Sequence, residues 1–294
     1  MLIIPYFGSF GPWFPLYLSS LAKQRTLDLL LLSDGEPPPL PGNARRVAMT
    51  FDDLRALANA KLPFPVRLQR MRNICDLRPA YGVVFREFIE DYKYWGFGDE
   101  DVLYGDIDRL LAPHLDGIAD FVVPARNGKS GHLTLIRNSP PTNELALHDP
   151  AYPDVLTSQE HWAYDETSWR WGAEISSFHK IMTEAETRGE LSIRWDIPRV
   201  TGVPPRGRWF VYDGRSIHDD AGKEILYYHW GRMRHRRVVW PQDATRGFAF
   251  DRYGFYDPAL GPTRLAARRG IGRLRELAGD TRQRLSQWRA ANFG

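Results

Sequence analysis

The segment YWGFGDEDVLYGD, residues 94–106, consists of an apolar aromatic run, three consecutive acids and a second apolar run. Carboxylates beside a buried strand repel one another and lose hydration, and a bound divalent cation is a common way to offset that cost. Side chains two apart in an extended segment point to the same side, so Asp99 and Asp101 can face one ion while Glu100 points away. Two oxygen ligands that leave other positions open suit Mn²⁺ or Mg²⁺ carrying a diphosphate. The alternative is a solvated acidic turn.

The segments before this motif predict an α/β fold. Residues 2–7 and 27–32 are nearly continuous apolar runs, as in strands buried on both faces of a parallel sheet. Residues 46–50 predict a third strand, and the order of strand and helix patterns is typical of a doubly wound domain. Ligands of such sheets bind beyond the carboxyl ends of the strands, where Asp34 and residues 99–101 fall.

The remaining segments predict one long helix and a less regular second half. Apolar spacing over residues 76–92 follows one helical face. Shorter strand patterns and a helix over residues 173–187 predict a mixed C-terminal half. Without an internal repeat or a low-complexity linker, the expected organisation is one domain over residues 1–260, followed by a basic helical tail over residues 261–294.

The charge and the cysteine content limit the function classes. The 294 residues have a formal net charge of +3, and the tail is arginine-rich. The composition of the tail predicts either amphipathic helices that contact an anionic membrane surface or a helix that packs on the rest of the domain. We expect no nucleic-acid partner. The single cysteine, Cys75, excludes an intramolecular disulfide and a thiolate metal cluster. No signal-peptide pattern or long apolar run is present, so we expect a cytoplasmic protein, with the inner face of the cell membrane as a peripheral location.

Several common catalytic motifs do not occur in the sequence. There is no Walker A motif, no Gly-x-Gly-x-x-Gly after a strand and no Gly-x-Ser-x-Gly. These absences argue against a P-loop nucleotidase, a dinucleotide-dependent oxidoreductase and a serine hydrolase of the nucleophile-elbow type.

Five ordered motifs resemble those of the GT-A glycosyltransferases, which have a Rossmann-like fold. They are Ile3-Ile4-Pro5-Tyr6-Phe7, Cys75-Asp76-Leu77-Arg78-Pro79-Ala80-Tyr81-Gly82, Trp95-Gly96-x-x-Asp99-x-Asp101-x-x-x-Gly105-Asp106, Gly131-His132-Leu133-Thr134 and Tyr228-His229-Trp230. The likeness covers residues 2–240 and is greatest to a little-studied bacterial group associated with surface-polysaccharide synthesis. It departs from that group at Glu100, where an apolar residue is more usual.

The resemblance implies an enzyme of the hexosyltransferase type. Its donor would be a nucleoside-diphosphate sugar, with UDP expected, and its acceptor a cell-surface glycan or a lipid-linked intermediate. Residues 1–125 would form the nucleotide-sugar-binding half and residues 126–260 the acceptor half. Asp99, Asp101 and His229 would bind Mn²⁺ or Mg²⁺. The expected donor-binding residues are Tyr6, Asp34, Asp76, Arg78, Asp99, Arg232 and Arg234.

Some of these residues also have a purely structural interpretation. Asp76 can instead be a helix N-cap beside a solvated Arg78, and His229 a packed histidine. The arginines at 232 and 234 belong to a basic run that suits a diphosphate.

A second acidic pair, Asp165 and Glu166, lies between aromatic residues. Either residue is a candidate general base if transfer inverts the anomeric centre, and the alternative is a helix-capping turn. His132 could touch the donor sugar or the acceptor, or it could be buried and structural.

Two other functions fit the same residues. A metal-dependent phosphoesterase or nuclease could use the acids and the basic run on a phosphodiester. A non-catalytic nucleotide- or glycan-binding module could retain the site without turnover.

Overall fold

The computed structural model describes residues 1–124, 126, 131–168, 176–195, 197, 200–201, 204–231, 233 and 238–257. The strands are β1 (Leu2–Tyr6), β2 (Leu29–Ser33), β3 (Ala44–Ala48), β4 (Tyr94–Gly98), β5 (Val102–Tyr104), β6 (Phe121–Val122), β7 (Leu133–Arg137), β8 (Ile193–Arg194), β9 (Val200–Thr201), β10 (Trp209–Tyr212), β11 (Ile217–Asp219), β12 (Glu224–Ile225), β13 (Tyr227–His229), β14 (Phe248–Asp251) and β15 (Gly254–Tyr256). The α-helices are α1 (Phe14–Leu21), α2 (Phe51–Lys61), α3 (Ile74–Leu77), α4 (Tyr81–Val84), α5 (Arg86–Ile89), α6 (Ile107–Leu111), α7 (Pro140–Asn143), α8 (Tyr152–Thr157) and α9 (Phe178–Thr187).

The central sheet has seven strands in the order β3-β2-β1-β4-β7-β6-β8. Strands β3, β2, β1 and β4 are parallel neighbours, β7 runs antiparallel to β4 and β6, and β6 is parallel to β8. This is the predicted mostly parallel α/β sheet flanked by helices. The predicted fold class is therefore confirmed over the described residues.

Alternate side chains of the central strands pack on opposite faces of this sheet. On β1, Ile3 joins an apolar cluster with residues of α2, α4, α8 and α9, whereas Leu2 and Ile4 pack with residues of α1 and α6. On β2, Leu30 and Leu32 join the first cluster, and their neighbours join the second. Burial on both faces explains the nearly continuous apolar runs in the sequence.

The single helix predicted over residues 76–92 is wrong. The segment instead forms α3, a 3₁₀ turn at Arg78–Ala80, α4 and α5. Pro79 has no N–H to donate to a helical carbonyl, so the regular α-helical hydrogen-bond pattern is interrupted there. Arg78 therefore lies at a junction between short helical segments. By contrast, helix α2 begins regularly, with Thr50 capping it in a reciprocal capping box with Asp53.

The second half is mixed, as predicted. Strands β5, β13 and β9 form a three-stranded sheet, and β12-β11-β10-β14-β15 form an antiparallel five-stranded sheet. A third apolar cluster, which includes Leu103, Phe210 and Tyr228, joins these two sheets. Helix α9 covers part of the predicted helix over residues 173–187.

The predicted basic tail over residues 261–294 lies outside the described residues, so the domain boundaries stay a prediction. Among the helices that are described, none combines the length and the apolar character needed to cross a bilayer.

Candidate active site

A cavity of about 730 Å³ opens beyond the carboxyl ends of β1 and β4. Its lining comes from segments that are far apart in the sequence and that the sheet topology brings together. The lining residues are Pro5, Tyr6, Phe7, Met71, Arg72, Ile74, Cys75, Arg78, Asp99, Glu100, Asp101, Gly131, His132, His161, Ala163, Asp165, Glu166, His229 and Gly231.

The turn between β4 and β5 carries Asp99 and Asp101 from the central sheet to the three-stranded sheet. Because β5 is antiparallel to β13, with Val102 opposite His229, the imidazole of His229 lies beside both carboxylates. Its Nε2 is 2.9 Å from Asp101 Oδ1 and 3.5 Å from Asp99 Oδ2. The carboxylate of Asp101 is almost fully buried. The three residues predicted to bind a cation are thus neighbours.

A second histidine joins this group through the pairing of β4 with β7. The Asp99 N–H donates to the carbonyl oxygen of His132 at 3.2 Å, and a Cβ at Gly98 would lie only 2.7 Å from the same oxygen. Glycine at position 98 therefore permits the close approach. The rings of His132 and His229 are 4.1 Å apart, and ligand atoms of Asp99, His132 and His229 all lie within 4.8 Å of one another.

Arg78 links the acids of this turn to the second acidic pair. Its Nη2 donates to Asp99 Oδ1 at 2.6 Å and its Nη1 donates to Asp165 Oδ2 at 2.8 Å. Further donation to the carbonyl oxygens of Gly98 and Gly131 holds the guanidinium above the ring of Phe97. The side chains of Arg78 and Asp165 are 12% and 3% exposed, so this is a buried charge network.

The two carboxyl groups beside Arg78 have opposite pKa shifts. Burial alone would raise the pKa of Asp99, but the charges of Arg78, His229 and His132 outweigh it and lower that pKa to about 2. Burial raises the pKa of Asp165 to about 6, even though Arg78 acts in the other direction. Asp99 is therefore ionised throughout the neutral range, whereas Asp165 titrates just below it.

Glu166 completes the acidic wall of the cavity. Its Oε1 accepts the N–H of Gly131 at 3.3 Å. Burial, with the charges of Asp165 and Asp99, raises the pKa of Glu166 to about 7. A Cβ at Gly131 would lie 3.1 Å from oxygens of both acids and 3.2 Å from Arg78 Nη1, so a larger residue there would press on the network. The Glu166 carboxyl can exchange a proton near neutral pH.

Asp76 lies outside the cavity lining. Its carboxylate accepts the N–H groups of Trp162 at 3.1 Å and Tyr164 at 2.9 Å, and its own carbonyl accepts the Tyr152 hydroxyl. Burial raises the pKa of Asp76 to about 7. In this geometry Asp76 anchors the loop that precedes Asp165.

The remaining residues that are predicted to bind the donor do not all lie in this cavity. The Tyr6 ring lines the cavity and stacks on Phe10 at 4.7 Å. Asp34 accepts the N–H of Gly8 at 2.8 Å and lines a separate, open cavity with Phe10. Arg232 and Arg234 lie outside the described residues.

Two features of the site depend on contacts between segments that are distant in the sequence. The sequence predicts a sugar or acceptor contact or a structural role for His132, whereas its position beside Asp99 depends on the register of β4 and β7. The link from Arg78 to Asp165 joins residues 87 positions apart. The one signal for His132 was a Gly-His pair immediately before a strand pattern.

Comparisons with known proteins identify a family and similar solved structures. The model of a family described as "Family of unknown function (DUF6625)" matches residues 2–196. A comparison with curated proteins finds no match. Among solved structures, the chain is similar to mouse xyloside xylosyltransferase 1 in its apo form. That similarity has a TM-score of 0.41 and 12% identity, and it covers 78% of this chain and 96% of the mouse chain.

Proposed function

This chain belongs to DUF6625, a family of unknown function, and we propose that it is a metal-dependent glycosyltransferase that uses a nucleoside-diphosphate sugar. The observation that supports the proposal is the meeting of Asp99, Asp101, His229 and Arg78 on one cavity wall at the carboxyl edge of a mostly parallel sheet. The expected nucleotide is UDP. The expected acceptor is a cell-surface glycan or a lipid-linked intermediate.

The residues on this wall suit a divalent cation. Two carboxylates and an imidazole within a few ångströms of one another are a donor set that Mn²⁺ accepts readily, and Mg²⁺ less so. A cation held there would supply positive charge to the leaving diphosphate as the sugar–phosphate bond breaks. The volume of about 730 Å³ is in the range of sites for small ligands.

The other side chains have separate proposed roles. Arg78 holds the Asp99 carboxylate in place and adds a permanent positive charge near the diphosphate. Tyr6 offers its ring at the end of β1, and Asp34 would contact the nucleoside from the neighbouring cavity. Asp76 would act indirectly, through the loop at 162–164. Arg232 and Arg234 are proposed to bind the diphosphate.

A melting experiment tests the proposed function directly. We expect UDP with Mn²⁺ to raise the melting temperature, whereas UDP alone or Mn²⁺ alone gives a much smaller shift. A ligand at a hundredfold excess over its Kd that binds only the native state stabilises by about 2.7 kcal/mol. EDTA should reverse the shift, and ADP and GDP serve as nucleotide controls. No shift with any nucleotide, together with metal-dependent hydrolysis of a simple phosphodiester, would instead indicate a phosphoesterase.

Glu166 is the proposed general base of an inverting transfer. Asp165 accepts a hydrogen bond from Arg78, whereas Glu166 lines the cavity and has a pKa that is raised to about 7. A base must be deprotonated, so the transfer rate should fall as the pH is lowered through about 7. Glu166→Gln should lower kcat by about 10²–10⁴-fold and remove that limb of the profile.

The measurement for Glu166 is kcat and kcat/KM between pH 5.5 and 9. Glu160→Gln is the matched control, because Glu160 is exposed on the same loop and its hydrogen bond to Asn73 uses the backbone carbonyl. An unchanged pH profile in Glu166→Gln would remove this residue from the chemistry and favour a mechanism without a protein base.

A further inference from the structure

The cavity contains a close pair of histidines from two different sheets. His132 immediately precedes β7 of the central sheet, and His229 ends β13 of the three-stranded sheet. Their ring centroids are 4.1 Å apart, with an angle of 32° between the ring planes. Both side chains are largely buried, and both line the cavity beside Asp99. A pair held in this way can present two imidazole nitrogens to one small ligand.

The distances among these groups fit a single ion. Ligand atoms of Asp99, His132 and His229 lie within 4.8 Å of one another. Two atoms bound to one ion at about 2.1 Å are at most about 4.2 Å apart, so small side-chain rotations suffice. Asp101 Oδ1 lies 2.9 Å from His229 Nε2 and so is next to this group.

The surroundings of His132 indicate which nitrogen would face the ion. The hydroxyl of Tyr227, a fully buried residue, lies 3.4 Å from His132 Nδ1. Histidines that bind metals usually engage a second group through the other ring nitrogen, which sets the tautomer and the ring orientation. The Tyr227 contact is at Nδ1, so we assign Nε2 to the cation.

We propose that His132 is a ligand of the same cation as Asp99 and His229, and that the second imidazole makes the site select Mn²⁺ over Mg²⁺. This inference rests on the proposed function for the existence of the site, and it adds a ligand and a metal preference. Mn²⁺, as a transition metal, accepts imidazole nitrogens beside carboxylate oxygens more readily than Mg²⁺, which prefers an all-oxygen shell and retains its waters. A site with two imidazoles therefore favours Mn²⁺ even where Mg²⁺ is more abundant.

The test measures metal binding by calorimetry, without nucleotide or turnover. Wild-type protein should bind Mn²⁺ at least about tenfold more tightly than Mg²⁺. His132→Gln should weaken Mn²⁺ binding at least about tenfold and change Mg²⁺ binding much less, so the preference falls. His148→Gln is the matched control, because His148 is exposed and lines a different cavity. Equal Mn²⁺ affinity in wild type and His132→Gln would overturn the assignment.

Counting the imidazole nitrogens bound to Mn²⁺ in the wild-type protein gives a test that does not depend on whether the variant folds. The electron spin-echo modulation of bound Mn²⁺ should show two imidazole nitrogens, and one in His132→Gln or in His229→Gln. A single nitrogen in wild type overturns the role of His132 and leaves the proposed function intact. Wild-type protein that binds no Mn²⁺ at all overturns both.

Discussion

Asp101→Asn is expected to abolish Mn²⁺-dependent UDP binding and to lower transfer by about 10²–10³-fold, the usual cost of losing one well-placed electrostatic group. The carboxylate is 2% exposed and its Oδ1 lies 2.9 Å from His229 Nε2, so the variant removes a buried negative charge in direct contact with a second proposed ligand. The amide is nearly the same size. The main-chain bond from the Trp230 N–H to the Asp101 carbonyl is unchanged, so the fold should persist.

The measurement combines the melting shift with UDP and Mn²⁺ and the release of UDP from the sugar donor. Asp99→Asn should have an effect of similar size, because Asp99 is in the proposed metal group and also accepts from Arg78. Glu100→Gln is the informative comparison. Glu100 lines the cavity, but it alternates with Asp99 and Asp101 along the segment and is expected to point away from the ion that they share, so its effect should be below about tenfold. Full activity of Asp101→Asn, or activity indifferent to EDTA, would contradict the metal assignment.

The sequence predicts the parts of the fold that local patterns determine. The apolar runs of β1 and β2 indicate strands buried on both faces, and the alternate packing of Ile3 and Leu2 confirms this. The apolar spacing over residues 76–92 predicts one helix, whereas Pro79 within the same segment is a local signal for the interruption that the structure has. The antiparallel entry of β7 beside β4 could not be predicted, because strand pairing between distant segments has no local signature.

In the candidate site too, local patterns predict some contacts, whereas others depend on pairing between distant segments. The spacing of Asp99 and Asp101 predicts that both belong to one turn, whereas the approach of His229 depends on the register of β13 against β5. The resemblance to a known family supplied His229, but it gave no indication that His132 would stand opposite Asp99. Asp34 lies in a separate cavity because the N–H of Gly8 holds its carboxylate. The neighbourhood of His132 and the link from Arg78 to Asp165 depend on pairing between distant segments, which no local pattern predicts.

Arg78→Met is expected to have the largest effect on stability. The guanidinium is 12% exposed and donates to Asp99 and Asp165, so the variant leaves two inward-facing carboxylates without their cation. Breaking a buried ion pair from one side costs about 3–5 kcal/mol. Chemical denaturation at pH 8 measures the loss. Arg86→Met is the matched control, because the Arg86 side chain is 56% exposed and pairs with Glu144 at 3.4 Å, and such surface pairs contribute at most about 1 kcal/mol.

The pH dependence of this loss has a definite sign. With Arg78 present, the pKa of Asp99 is lowered to about 2, so Asp99 contributes stability above its unfolded pKa and loses it as the pH falls towards 2. The pKa of Asp165 is already raised to about 6, and removing the guanidinium raises it further. Protonation then relieves the repulsion between the two acids. Arg78→Met should therefore destabilise the protein more at pH 8 than at pH 5.5.

A double variant separates the charge network from simple loss of packing. Adding Asp165→Asn to Arg78→Met removes one of the two unpaired carboxylates, and it should recover part of the lost stability although Asp165→Asn alone destabilises. Arg78 also contacts the ring of Phe97. The loss of unfolding free energy that persists in the double variant therefore reports the lost packing and the unpaired charge of Asp99 together. If Arg78→Met costs no more than Arg86→Met, or if Asp165→Asn adds to the loss instead of reducing it, the buried network does not hold these acids in place.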